Sequence, residues 1–153
     1  QKKTPVSEKV WSICGDICLQ AEDNTFLNSV LQAKGLTTQE KITGVCPVTG
    51  VKLKGFIDLR LDAHVIDLKT TAMLSDFEYL INEKLNYWMQ AAVYYTLTNC
   101  QTFSFFAVST QKPYYTKVFT FEEKQLKKFQ AKLQKEVLLP LLNCLENGFG
   151  FPL

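Results

Sequence analysis

The chain has 153 residues, 46% of them hydrophobic and 21% charged, and a formal net charge of +2. That length supports a substantial core and that balance excludes a disordered chain, while so small a net charge announces no nucleic-acid partner by itself. No apolar run approaches the roughly 18 residues that cross a bilayer, and Gln1-Lys-Lys-Thr-Pro5 leads into no hydrophobic secretion segment. The expectation is one soluble, cytoplasmic domain over residues 1–153. Cys14, Cys18, Cys46, Cys100 and Cys144 are odd in number and irregularly spaced, which argues for free thiols over a disulfide framework. Cys14 and Cys18 lie one helical turn apart, but no second close pair completes a zinc site.

In chain order, residues from about Glu8 to Lys34 read as helical, with Phe26, Leu27, Val30 and Leu31 at helical spacing and Gly35 as the stop. Three strands follow: Glu40 to Cys46, Val51 to Leu59 after the Pro47–Gly50 turn, and His64 to Lys69. Ser75-Asp-Phe-Glu78 has the form of a capping box, so a helix is expected from Asp76 to about Thr98, interrupted near Asn86. Thr102 to Ser109 reads as a buried strand and Tyr114 to Phe119 as another. Thr120-Phe-Glu-Glu123 predicts a second capping box, opening a helix with Leu126, Phe129, Leu133 and Val137 on one stripe and a kink or end at Pro140. This order predicts an α/β fold with a central mixed sheet flanked by helices.

The chemistry concentrates in two of these strands. Asp58 ends the Gly55-Phe-Ile-Asp58 segment, and Asp67 and Lys69 sit two apart in Val65-Ile-Asp67-Leu-Lys69, so their side chains share a face. Two carboxylates and an ammonium at one sheet edge suit magnesium, which prefers oxygen donors, and a phosphate. Asp58 and Asp67 are the candidate ligands, with the Leu68 carbonyl as a further oxygen. Lys69 is placed to orient or activate a water, or to stabilise charge on the phosphate. The competing reading is a surface ion pair at a strand end. Tyr87, Gln90 and Tyr94 fall on one helix face, and a glutamine in so aromatic a helix needs a partner such as an active-site carboxylate or a DNA phosphate. Between Lys112 and Lys135 there are seven lysines against two glutamates. Lys112, Lys117 and the lone arginine, Arg60, are candidate phosphate contacts, though Arg60 also suits neutralising nearby acids. His64 falls on the strand face opposite Asp67 and reads as structural. Trp11 and Phe149-Gly-Phe151 are candidate contact points for a protein partner, with core packing the favoured reading for these aromatics.

Gly55-Phe-Ile-Asp58, Ile66-Asp67-Leu-Lys69-Thr-Thr71 and Gln90-Ala-Ala-Val-Tyr94 resemble the consecutive motifs of PD-(D/E)XK nucleases. They are most similar to the RecB-like and RecE-like branch that includes lambda-type phage exonucleases. The resemblance covers roughly Glu40 to Ser109. It implies a restriction-endonuclease-like core and a DNA exonuclease. Asp58 and Asp67 would hold Mg2+ or Mn2+, Lys69 would be the catalytic lysine, and Gln90 and Tyr94 would contact DNA or order the ligands. It further implies a role in recombination, repair or phage DNA processing in a bacterial or phage-infected cell, a single-strand annealing partner, and ring-like homo-oligomers. The family usually brings one more ligand from a helix before the sheet. No histidine precedes His64, which leaves Glu22 or Glu40 as the substitute and a reduced N-terminal helical region. A relative that binds DNA without cutting it is the alternative.

Overall fold

The computed structural model describes residues 6–147. Helices α1 (Glu8–Glu22) and α2 (Thr25–Leu31) precede strands β1 (Thr37–Val45), β2 (Lys52–Leu61) and β3 (His64–Thr71). A short helix α3 (Phe77–Tyr79), a π-helical turn (Leu80–Lys84) and helix α4 (Tyr87–Thr98) then lead to β4 (Thr102–Ser109) and β5 (Thr116–Glu122). Helix α5 (Glu123–Leu133), a second π-helical turn (Gln134–Leu138) and α6 (Leu139–Asn147) follow. The five strands lie in the order β1-β2-β3-β4-β5. Only β3 and β4 are parallel, because α3 and α4 carry the chain back across the sheet between them. This is the expected α/β architecture, a mixed sheet with helices on both faces.

Each face has its own core. Val65, Ala91, Phe103, Phe105 and Leu126 pack between the sheet and α4 and α5, while Leu27, Val30, Ile66 and Phe106 pack beneath α2. β4 runs between the two, so Phe103 through Ser109 are all buried. A strand covered on both faces reads as a continuous apolar run, which explains the phenylalanine density of this segment.

Several boundaries differ from the sequence expectation. The helix predicted over Glu8–Lys34 breaks at Asp23 and Asn24. The Asn24 Oδ1 accepts from the Phe26 and Leu27 N–H groups at 3.0 and 3.2 Å, and its Nδ2 donates to Thr116 Oγ1 at 2.9 Å. An asparagine competes with the helix for its own backbone and here starts a new one. The Ser75 capping box does not form: α3 begins at Phe77, with Asp76 preceding it and making no side-chain cap. Nor does a helix begin at Thr120. β5 continues until Phe121 faces Phe103 and Glu122 faces Thr102, and the Gln125 side chain accepts from the Glu122 N–H at 3.2 Å. Pro140 does not end its helix. The π-helical turn just before it loosens the ladder where a proline N–H is missing. Trp11 is 74% exposed rather than packed in a core, and Phe149-Gly-Phe151 lies outside the described residues. No helix among the described residues is long and apolar enough to cross a membrane.

His64 is half-buried on the α2 face. Its Nε2 is 2.8 Å from Ser104 Oγ, which is itself 2.8 Å from Thr120 Oγ1. Burial pushes the imidazole pKa below its ordinary 6.5, against a smaller upward pull from Glu122. The folded state therefore takes up a proton less readily than the unfolded chain. His64 costs nothing at neutral pH, and stability falls as pH drops below about 6.5 toward the lowered folded value. His64→Gln is expected to lose less stability than the parent between pH 7.5 and pH 5.5 (~2 units spanning that window), as read by urea unfolding. Equal losses in the two proteins would refute this assignment.

Candidate active site

The site is built where β2 and β3 part. Ile57 belongs to the core under α4 and Leu59 to the core on the other face, although strand alternation would put both on one side. β2 therefore turns over at Asp58. Opposite it on β1, Gln39 is held at φ +53°, a left-handed conformation that costs a non-glycine residue about 1–2 kcal/mol. β2 and β3 pair only from Leu59 to Leu61 against Ile66 to His64. Beyond that, the Leu68 N–H donates not to a β2 carbonyl but to Asp58 Oδ2, at 2.8 Å. The N–H and C=O of one strand residue point the same way, so the Leu68 carbonyl faces the same gap. Gln39 Nε2 donates to Asp58 Oδ1 at 3.4 Å.

Asp67 projects from β3 toward α4 and is 2% exposed. Its Oδ1 accepts from Gln90 Nε2 at 2.5 Å. Its Oδ2 lies 2.5 Å from Lys69 Nζ, an ion pair without the alignment of a hydrogen bond, so this buried oxygen keeps unused acceptor capacity. Burial raises the Asp67 pKa above the carboxylate norm. Lys69 pulls it down, Asp58 pushes it further up, and Gln90 pulls it down. The Lys69 ammonium sits over the Tyr87 ring, 5.0 Å from its centroid, and near Phe105 at 5.7 Å. These ring faces hold a cation without neutralising it.

Gln90 and Tyr94 form one strut from α4. Gln90 Nε2 also donates to Tyr94 OH at 3.1 Å, and Tyr94 OH donates to the Phe56 carbonyl at 2.5 Å. Burial raises the Tyr94 pKa, Gln90 lowers it, and Asp67 and Asp58 add to the rise, so the phenol stays protonated and able to donate. Gly55 makes this possible: a Cβ there would run into Tyr94 Cε1 and lie 3.1 Å from Cδ1. Gly55→Ala is expected to displace the ring, break both Tyr94 bonds and cost about 1–3 kcal/mol of stability through overpacking. Urea unfolding checks this, and a variant as stable as the parent would contradict it.

A divalent metal suits this donor set. Asp58 meets the Leu68 backbone where β2 and β3 part, and Asp67, the residue before Leu68, keeps one buried oxygen with spare lone pairs. Magnesium needs no more than one or two carboxylates besides water and substrate phosphate. The additional ligand is a different matter. Among the described residues, no third His, Cys, Asp or Glu joins Asp58 and Asp67 in a metal-holding group. Glu40 is instead paired with Arg60, with Nη1 3.2 Å from Oε1, and Glu22 is an exposed residue at the end of α1. Neither joins Asp58 and Asp67 among the described residues. α1 packs on the sheet face away from Asp67. Arg60, paired with Glu40, also donates through its Nε to the Asp62 carbonyl at 3.3 Å. Lys112 lies over Tyr114 in the β4–β5 turn. Lys117 pairs across Ala107 with Lys69, which puts it in the same row of the sheet, two strands away. Sequence reasoning missed Gln39 and the packing role of Gly55. A glycine inside a strand does signal close approach of another group; nothing in the sequence marks Gln39.

Comparison with known proteins agrees with this fold. A family model described as a PDDEXK-like domain of unknown function (DUF3799) matches residues 2–149. The crystal structure of a candidate exonuclease from Eubacterium rectale superposes with a TM-score of 0.72 at 14% identity, over 96% of this chain and 57% of that one. This chain thus spans little more than half of that relative. An alkaline exonuclease from Laribacter hongkongensis aligns over 95% of this chain and 87% of its own, at 13% identity and a TM-score of 0.43. No curated protein matches the chain.

Proposed function

The chain belongs to the PDDEXK-like family, and from that premise we propose that it is a divalent-metal-dependent DNA nuclease, an exonuclease acting on DNA ends. The observation that carries the reading is the Asp67 carboxylate, buried at one opening of the sheet and gripped by Lys69 on one oxygen and Gln90 on the other. Asp58, Asp67 and the Leu68 carbonyl would hold Mg2+ or Mn2+, which supplies Lewis-acid polarisation of the phosphate and a more acidic water. The protein's own groups do the rest. Lys69 carries a fixed positive charge at the water and the developing phosphate oxygens. Gln90 fixes the orientation of Asp67, and Tyr94 anchors Gln90 to the β2 backbone. Lys117, in the row of Lys69, offers a second contact for the same phosphate backbone.

The experiment is digestion of end-labelled linear DNA and closed circular DNA with Mg2+, Mn2+ or EDTA. Metal-dependent loss of linear DNA alone supports an exonuclease. Cleavage of circles as well moves the assignment to an endonuclease. A folded protein that binds DNA and cuts neither supports the binding-only reading.

A further inference from the structure

The outer face of the β1–β2 ribbon has no use in the site described above. Its cross-strand pairs are Lys41 with Phe56, Thr43 with Lys54 and Val45 with Lys52, and all six residues are exposed. Neighbouring same-face positions on a strand lie about 6.6 Å apart, and residues directly opposite lie within contact distance. Phe56, 56% exposed, is therefore bracketed by Lys41 across the ribbon and Lys54 along it. The six positions include three lysines and no acid, and among the described residues none of these lysines is in a salt bridge. An exposed phenylalanine between unpaired lysines costs solubility without adding to the core. It suits a flexible polyanion whose bases offer flat faces, which is how stacking platforms hold single strands. Along the chain the row runs up to the site: Asp58 is two residues beyond Phe56 on β2, at the point where that strand turns over.

We propose that the ribbon of Lys41, Lys52, Lys54 and Phe56 is a track for single-stranded DNA leading to Asp58, with a base stacked on Phe56 and phosphates held by the lysines. This rests on the nuclease reading for its choice of ligand, but its test does not require cleavage. The measurement is fluorescence anisotropy of labelled oligo(dT) with the protein in EDTA, over a series of salt concentrations. Phe56→Ala is expected to weaken binding about 5- to 150-fold, the usual worth of one stacked base. The Lys41→Ala, Lys52→Ala, Lys54→Ala triple variant should flatten the log–log salt slope by about two. Because these side chains are exposed, both variants should keep the parent's circular dichroism and melting temperature. Parental affinity and slope in both variants overturn the proposal, as does a loss that follows neutralisation of Lys124, Lys128 and Lys132 on α5 instead. If oligo(dT) binding depends on the ribbon while no DNA is cut in any metal, the track stands and the nuclease reading falls. If Asp67→Asn abolishes cleavage while ribbon variants bind as the parent does, the nuclease reading stands and the track falls.

Discussion

Lys69→Met is expected to lower the cleavage rate by about 10²–10³-fold, the usual effect of deleting one preorganised electrostatic stabiliser. Methionine keeps the length and apolar stem that lie against Tyr87 and Phe105 and removes only the charge. The ammonium is 2.5 Å from Asp67 Oδ2 with its side chain 19% exposed, so its field acts in a mostly water-excluded pocket where charge counts for more. Loss of the cation also removes the strongest influence holding the Asp67 pKa down. The carboxyl then rises further and can take up a proton, which relieves the unpaired charge and lets the variant fold. Lys69→Arg should not restore the parental rate, because a planar guanidinium cannot occupy the point position of an ammonium. Single-turnover kinetics alongside thermal unfolding separates the two effects. A Lys69→Met protein with the parental rate would remove Lys69 from the chemistry.

Phe105→Ala is expected to have the largest effect on stability, about 3–5 kcal/mol. Phe105 is fully buried and meets Phe103 edge-on at 4.8 Å, Tyr87 at 5.7 Å, Phe77 at 6.1 Å and Phe121 at 6.2 Å. Truncation leaves a cavity at the junction of β4, β5 and α4. For a chain of this size that corresponds to a fall of about 6–20 °C in melting temperature. Phe105 is also the β4 partner of Asp67, so the cavity opens beside the Asp67 carboxylate. Phe105→Leu, which refills most of the space, should recover most of both. Calorimetry on the two variants checks this, and an alanine variant within 1 °C of the parent (~1 °C being well below one kcal/mol) would contradict it.

The site was legible in the sequence where chemistry and local period coincide. Asp67 and Lys69 share a face because strands alternate, and Gln90 and Tyr94 share one because helices return every third or fourth residue. These rules placed the four side chains before any tertiary contact was known. Asp58 was legible as a residue but not in its geometry. The turnover of β2, the left-handed Gln39 opposite and the capture of the Leu68 N–H depend on how three strands twist together, which no local pattern encodes. Glu40 and Arg60 show the same limit: each suits a site role by type, and no local pattern encodes that they pair with each other across β1 and β2. Asn24 and Glu122 mark the limit for boundaries. A cap is chosen by which tertiary partner is within reach, Thr116 for the first and the β4 ladder for the second. Trp11 was misplaced because its residue type favours burial, whereas α1 turns that side of itself to solvent.

The most direct test of the account is the single-turnover cleavage rate of a labelled linear duplex in Mn2+, compared between the parent and Asp67→Asn. Asparagine keeps the shape of the side chain, and burial already works against the charge of Asp67, so the variant should fold. Parental melting behaviour is expected, with a cleavage rate reduced at least 10²-fold (about 10²–10³ for loss of one such group) and the parent inactive in EDTA. A folded Asp67→Asn protein that cuts DNA at the parental rate would place the chemistry elsewhere in the molecule.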